Sequence, residues 1–319
     1  NPYILYYTVT PMMEVLFITM VIAVVYFMVL WMEYGHFRHL LLAGIFITLA
    51  SISRYEGIFL IPVAVMIVIV RLILNRRRLD EIEATVIVFG IPSVLGLGYL
   101  MVYDLVFAGH PLAFAGFEVT AGWDLAKYAS TNVTSHNVFQ SFLYLMHSSY
   151  YMIGKVLPIV SILSLVIVIF FSRQRVKFAS VLLLFLAPFL AVFLALYRGS
   201  SSIDIPEFGL SGGFHNERYA LSWIGFSVLA PILAILVFQK IKFASLILAG
   251  LLIMSSSYYL YDVIAINNFE PIRKNITTKD RDRVDGLSMQ LTRDYDFGKI
   301  LATRFNNDFT YLDGDIPLR

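Results

Sequence analysis

The polar chemistry of this chain gathers in a few short stretches beside long apolar runs. GGFHNERYALSWIGF, Gly212 to Phe226, leads from a glycine-rich loop into an apolar helix, with His215, Asn216, Glu217 and Arg218 at its mouth. The start of a helix offers unpaired N–H groups and the positive end of its dipole. Arg218 would add a planar fork of donors there, a combination suited to phosphate. The glycines from Gly209 to Gly213 let backbone approach a ligand closely. The plainer alternative is that Arg218 snorkels to a membrane interface and pairs with Glu217 or a lipid headgroup. The turn Ser53-Arg-Tyr-Glu-Gly57 repeats the logic. Arg54 either meets a phosphate or forms a salt bridge to Glu56 that caps the turn. Tyr55 and Tyr219 each follow one of the two arginines, as site residues or as members of an interfacial aromatic belt. Glu14 and Asp104 are further carboxylates set inside apolar runs, where charge is costly and usually functional.

His215 and Glu217, with Asp204 and Glu207 of the same loop, could bind a divalent cation. Their spacing fits no recognised metal motif, and clustered loop carboxylates are usually just solvated. No metal ligand is assigned, and a divalent cation (Mg or Mn) stays open as a cofactor. His36 and His39 read as loop residues. The long stretch from Ala108 to Asn137 carries Phe114, Phe117, Trp123 and Tyr128 with Glu118 and Asp124. That mixture suits a sugar ring, and equally an amphipathic helix lying on a membrane. No phosphate-binding Walker loop, GxSxG or HExxH is present.

The elements that must position these residues follow from composition. The chain has 319 residues, 59% hydrophobic and 14% charged, with a mean hydropathy of +0.76. Soluble domains carry about 25% charged residues, so the class is a polytopic membrane protein. A net charge of +2 gives no reason to expect a nucleic-acid partner. With no cysteine, disulfides and thiolate catalysis are excluded.

Eight apolar runs are candidate spans: Met12–Trp31, Leu40–Ser53, Gly57–Leu74, Ala84–Phe107, Gly154–Phe171, Ala179–Tyr197, Tyr219–Phe238 and Phe243–Ile264. The second is too short to span alone and should extend back through His36 or sit tilted in the bundle. Phe139–Tyr151 reads as an interfacial helix, with a ninth span as the alternative. Arg38, the group Arg71, Arg76, Arg77 and Arg78, the group Arg173, Arg175 and Lys177, and the pair Lys240 and Lys242 mark four cytoplasmic loops. Eight spans satisfy the resulting alternation. Glu14, Arg54, Glu56, Asp104, Glu217 and Arg218 then all fall toward the outer side. The sequons Asn132-Val-Thr134 and Asn275-Ile-Thr277 fall there too.

From Ala265 to Arg319 the chain becomes charged, with turn signals at Asp285-Gly286 and Asp313-Gly314. Short strand-like runs stand at Gly298–Thr303 and Phe309–Leu312. The expected fold is an all-α membrane bundle over residues 1–264, followed by the opening of an extracytoplasmic α/β domain over 265–319.

Three passages in this order and on this shared side carry a resemblance: Thr10-Pro-Met-Met-Glu-Val-Leu-Phe17, the run Leu41 to Pro62 containing Arg54-Tyr-Glu-Gly57, and Asn216-Glu-Arg-Tyr-Ala-Leu-Ser-Trp223. Together they resemble the GT-C superfamily of membrane glycosyltransferases, closest in layout to the protein O-mannosyltransferases and aminoarabinose-transferase-like enzymes. The resemblance covers roughly Asn1 to Ile264. It implies an enzyme that takes a sugar from a polyprenyl-phosphate carrier and passes it, with inversion, to a protein, lipid or glycan acceptor outside the cell membrane, or inside the endoplasmic reticulum of a eukaryote. A carboxylate would serve as general base and cationic residues would hold the departing phosphate. The family's base usually lies in the first outer loop, which is expected upstream of Asn1. Glu14 and Glu56 stand as supporting candidates, Arg54 and Arg218 as phosphate ligands, and Tyr55, His215, Glu217 and Tyr219 as donor or acceptor contacts. A transporter or flippase, a membrane scaffold, and a polysaccharide polymerase or ligase are the competing classes. Transport would call for charge near the bilayer midplane.

Overall fold

The computed structural model describes residues 13–112, 133–199, 217–238 and 242–265. All but the first residue of the expected α/β segment 265–319, the aromatic stretch around Trp123, and His215 lie outside the described residues. The helices, in chain order, are α1 (Glu14–Tyr34), α2 (Phe37–Ser53), a 3-10 turn (Tyr55–Phe59), α3 (Leu60–Leu74), α4 (Leu79–Ala108), α5 (Val138–Ile153), α6 (Leu157–Phe171), α7 (Arg175–Tyr197), a 3-10 segment (Glu217–Trp223), α8 (Ile224–Val237) and α9 (Lys242–Ala265). Each of the eight apolar runs therefore folds as helix. Five helical stretches are long and apolar enough to cross a bilayer: Glu14–Tyr34, Tyr55–Leu74, Leu79–Phe107, Arg175–Tyr197 and Tyr219–Val237. Helices α2 and α6 are apolar but shorter.

The short second run does extend backward, to Phe37, with His36 in extended conformation just before it. His39 corrects the loop expectation. It lies in the first turn of α2 and is buried, ringed by Phe27 and Tyr34 of α1 and by His36. The reason is the tightness of the α1–α2 turn. Gly35 takes a left-handed conformation (φ 69°) and its N–H caps the Trp31 carbonyl, so α2 restarts almost at once.

Burial sorts the helices by place. In α7, 61% of the apolar span is buried inside the protein, against 17% in α4. Helix α7 is thus the centre of the bundle, in contact with α1, α3, α5, α6, α8 and both 3-10 segments. Its neighbours pack on Leu182, Leu184, Phe185 and Leu196, all buried. Helix α4 is peripheral and keeps Leu95, Val106 and Phe107 exposed, as expected of a lipid-facing side. Without a hydrophobic drive between helices in lipid, α2 and α4 meet through small residues. A Cβ on Gly96 would lie 2.7 Å from the Thr48 carbonyl oxygen. The Thr48 hydroxyl donates to the Pro92 carbonyl across the same contact. On the other side, the Ser161 hydroxyl of α6 donates to the Ser227 carbonyl of α8 at 2.7 Å.

Helix α5 packs against the second 3-10 segment, α7 and α6. Just before it, the His136 N–H donates to the Tyr197 carbonyl at the end of α7 (2.7 Å). Just after it, α6 begins, and α6 runs back antiparallel to α7 through the short link at Ser172–Gln174. The start of α5 is thereby tied to the Tyr197 end of α7. The Thr134 hydroxyl of the first sequon is buried and donates to the Leu196 carbonyl (3.0 Å).

Candidate functional site

Three helix ends meet near Arg54. The first is the start of α1, which carries Glu14. The second is the break between α2 and the 3-10 turn, where Arg54 is extended (φ −153°, ψ 137°) and its N–H still caps the Ala50 carbonyl. The third is the 3-10 segment that carries Tyr219. The sharp break depends on Gly57. A Cβ there would stand 2.5 Å from the Ala50 carbonyl carbon and 2.6 Å from the Ser51 nitrogen, so only glycine lets the turn fold onto the end of α2.

The turn aims the Arg54 guanidinium inward. Its Nε donates to one Glu56 oxygen at 3.1 Å and Nη2 to the other at 2.6 Å, a two-point fork. Its Nη1 donates to Glu14 at 2.6 Å. The face of the guanidinium stacks on Tyr219, with Cζ 5.1 Å from the ring centroid. Burial opposes the charge on Arg54. The carboxylates of Glu56 and then Glu14 outweigh it, and hold the guanidinium's pKa above its ordinary value. The side chains of Arg54, Glu14 and Glu56 are 13%, 5% and 1% exposed. Charges this dry persist only because each has a partner.

Beside this cluster opens a small cleft, with enclosed room for little more than one water-sized group. Glu14, Arg54, Tyr219 and Ser222 give it a polar side, and Phe17 and Leu221 an apolar one. Glu56 is absent from the wall. The Ser222 hydroxyl is buried and has no hydrogen-bond partner among the described residues. Next to it, Trp223 is buried and stacks on Phe189 of α7 (4.1 Å between centroids, planes 18° apart), which fixes the 3-10 segment to the centre of the bundle.

Of the residues singled out in the sequence, Glu14, Arg54, Glu56 and Tyr219 come together. Tyr55 stands at the edge of the group, 36% exposed. Glu217 and Arg218 belong to the backbone of the 3-10 segment, which places them at the same end; their side chains, like the whole of His215, lie outside the described residues. The seventh apolar run thus opens as a 3-10 segment, not as an α-helix. The salt bridge between Arg54 and Glu56 exists, and Glu14 joins it. Sequence reasoning missed Ser222 and Phe17. In a 3-10 segment, residues three apart share a face, so Tyr219 and Ser222 line the cleft together.

Among the described residues, no group of three His, Asp or Glu side chains gathers as a metal site. The loop carboxylates Asp204 and Glu207 lie outside the described residues. Comparison with protein-family models, with curated proteins and with solved structures found no match to this chain.

Proposed function

We propose that this chain is an integral-membrane glycosyltransferase, moving a sugar from a polyprenyl-phosphate carrier to a protein, lipid or glycan acceptor with inversion. The observation that carries the reading is the convergence of Glu14, Arg54, Glu56 and Tyr219, far apart in sequence, beside a cleft at one end of an apolar bundle. The arginine-rich loops after α3 and around the start of α7 lie at the opposite helix ends. Under the positive-inside rule those loops face the cytoplasm, and the cluster then opens to the outside of the cell membrane, or the lumen of the endoplasmic reticulum in a eukaryote. The same reading takes all eight apolar helices as spans and residues 265–319 as the opening of an extracytoplasmic α/β domain.

The site's chemistry fits a sugar on a lipid carrier. Carboxylates accept hydrogen bonds from sugar hydroxyls, and the Tyr219 ring offers an apolar face to C–H groups. Phe17 and Leu221 suit the apolar neighbourhood of the carrier. Arg54 spends three of its donors on carboxylates, so the carrier phosphate falls to Arg218 at the lip, with Arg54 supplying field more than contact. Tyr55, His215 and Glu217 complete the donor or acceptor contacts. No charge stands at the middle of the buried α7 span, where a transporter would place one.

The test is turnover by the chain in nanodiscs. Short-chain polyprenyl-phosphate mannose and related donors are supplied with peptide, lipid and glycan acceptors, and release of the carrier phosphate is followed. Release that depends on acceptor and drops at least about tenfold in Glu14→Gln supports the reading. No release with any donor, together with uptake of intact donor into sealed vesicles, would replace it by transport.

A further inference from the structure

We infer that the two buried carboxylates have different tasks: Glu14 is the substrate-facing one, and Glu56 is a positioning residue that acts on it through Arg54. The inference rests on the glycosyltransferase reading only for what the substrate is. The division of labour is geometric. Glu14 lines the cleft, together with Ser222, whose hydroxyl is buried without a hydrogen-bond partner among the described residues. A hydroxyl entering the cleft could donate to Glu14 and accept from Ser222. The ligand class is therefore a hydroxyl-bearing polar head beside an apolar stem, matching the Phe17 and Leu221 wall.

Glu56 has no such outlook. It is fully buried, sits in the 3-10 turn, and gives both oxygens to one guanidinium. A fork of two parallel bonds fixes a plane as well as a distance. With that edge held, the only Arg54 nitrogen paired with Glu14 is Nη1, and the guanidinium face is set against Tyr219. Glu56 thereby fixes where Glu14 points, although it does not touch the cleft. Two glutamates with the same partner are told apart by what else each one meets.

The experiment is site-resolved carbodiimide labelling of the full chain in nanodiscs, read by mass spectrometry. A small apolar carbodiimide adds to a protonated carboxyl it can reach, and a supplied amine then forms a stable amide. Glu14 should react at least about tenfold faster than Glu56, because reaching Glu56 requires opening a buried forked ion pair. Glu56→Gln loses one of the two fork bonds and should change the rate of Glu14 labelling severalfold, with the thermal unfolding profile retained. Glu14→Gln should leave Glu56 unlabelled. Labelling of Glu56 as fast as Glu14, or a Glu14 rate indifferent to Glu56→Gln, would overturn the inference. Because labelling needs no donor, it can succeed where the glycosyltransferase reading fails. Protection of Glu14 by short-chain polyprenyl-phosphate mannose would tie the two together. Selective labelling that neither this probe nor a soluble sugar slows would overturn the substrate-facing role.

Discussion

The two ends of this bundle use the same residue types in opposite ways. At the Glu14 end, Arg54, Glu14 and Glu56 are buried and interlocked. At the other end, Lys177 pairs with Glu33, Arg77 with Glu81 and Arg78 with Asp80, with side chains 27% to 79% exposed. Exposed pairs are screened by water and salt and contribute little. Buried ones incur desolvation and must be held by geometry. Orientation in a membrane needs only the exposed positive charge at one end. Nothing in membrane insertion calls for two dry carboxylates on one arginine at the other. That asymmetry separates exposed charge, which the positive-inside rule can use, from buried charge, to which the proposed function gives a role.

Substitutions can break the contrast at points of graded cost. Arg54→Met leaves two buried carboxylates without their shared cation and should destabilise by about 3–5 kcal/mol, or force a carboxyl to stay protonated. Unfolding midpoints in denaturing detergent would read this directly. Gly57→Ala drives a methyl into the Ala50–Ser51 backbone and should cost about 1–3 kcal/mol. It should also move Arg54 relative to Glu14, so carboxyl reactivity ought to change with stability. Tyr219→Leu keeps an apolar contact but removes the ring under the guanidinium. About 0.5–2 kcal/mol is expected, with donor binding reduced more than stability. At the opposite end, Lys177→Ala should cost no more than about 1 kcal/mol, and Arg77→Ala about 0.5 kcal/mol or less. If the Lys177 change proved as damaging as the Arg54 change, the contrast between the ends would collapse.

The bundle was legible in the sequence because apolar length is a strong signal and each of the eight runs is a helix. The convergence of Glu14, Arg54, Glu56 and Tyr219 at one end was legible for a related reason. Alternation of helices fixes which loops share a side, even when their packing is unknown. What the sequence hid was local. His39 reads as a loop residue until Gly35 is seen to reverse the chain so tightly that α2 begins before it. Ser222 stays hidden because no spacing shows that its hydroxyl ends buried beside the cleft. The separate outlooks of Glu14 and Glu56 depend on a fork geometry that no spacing rule encodes. In the sequence both glutamates looked alike because each was simply a carboxylate on the same expected side of the bundle.

The most direct measurement of the central claim is donor binding by the chain in nanodiscs, compared across the two ends. The probe is short-chain polyprenyl-phosphate mannose with its close sugar variants. Wild type, Glu14→Gln and Arg218→Ala are set against Lys177→Ala and Arg77→Ala. The account expects at least about tenfold weaker binding for the first two variants, a loss of about 1.4 kcal/mol, and no change for the last two. Binding that is weakened equally at both ends, or that ignores Glu14 and Arg218 altogether, would contradict it.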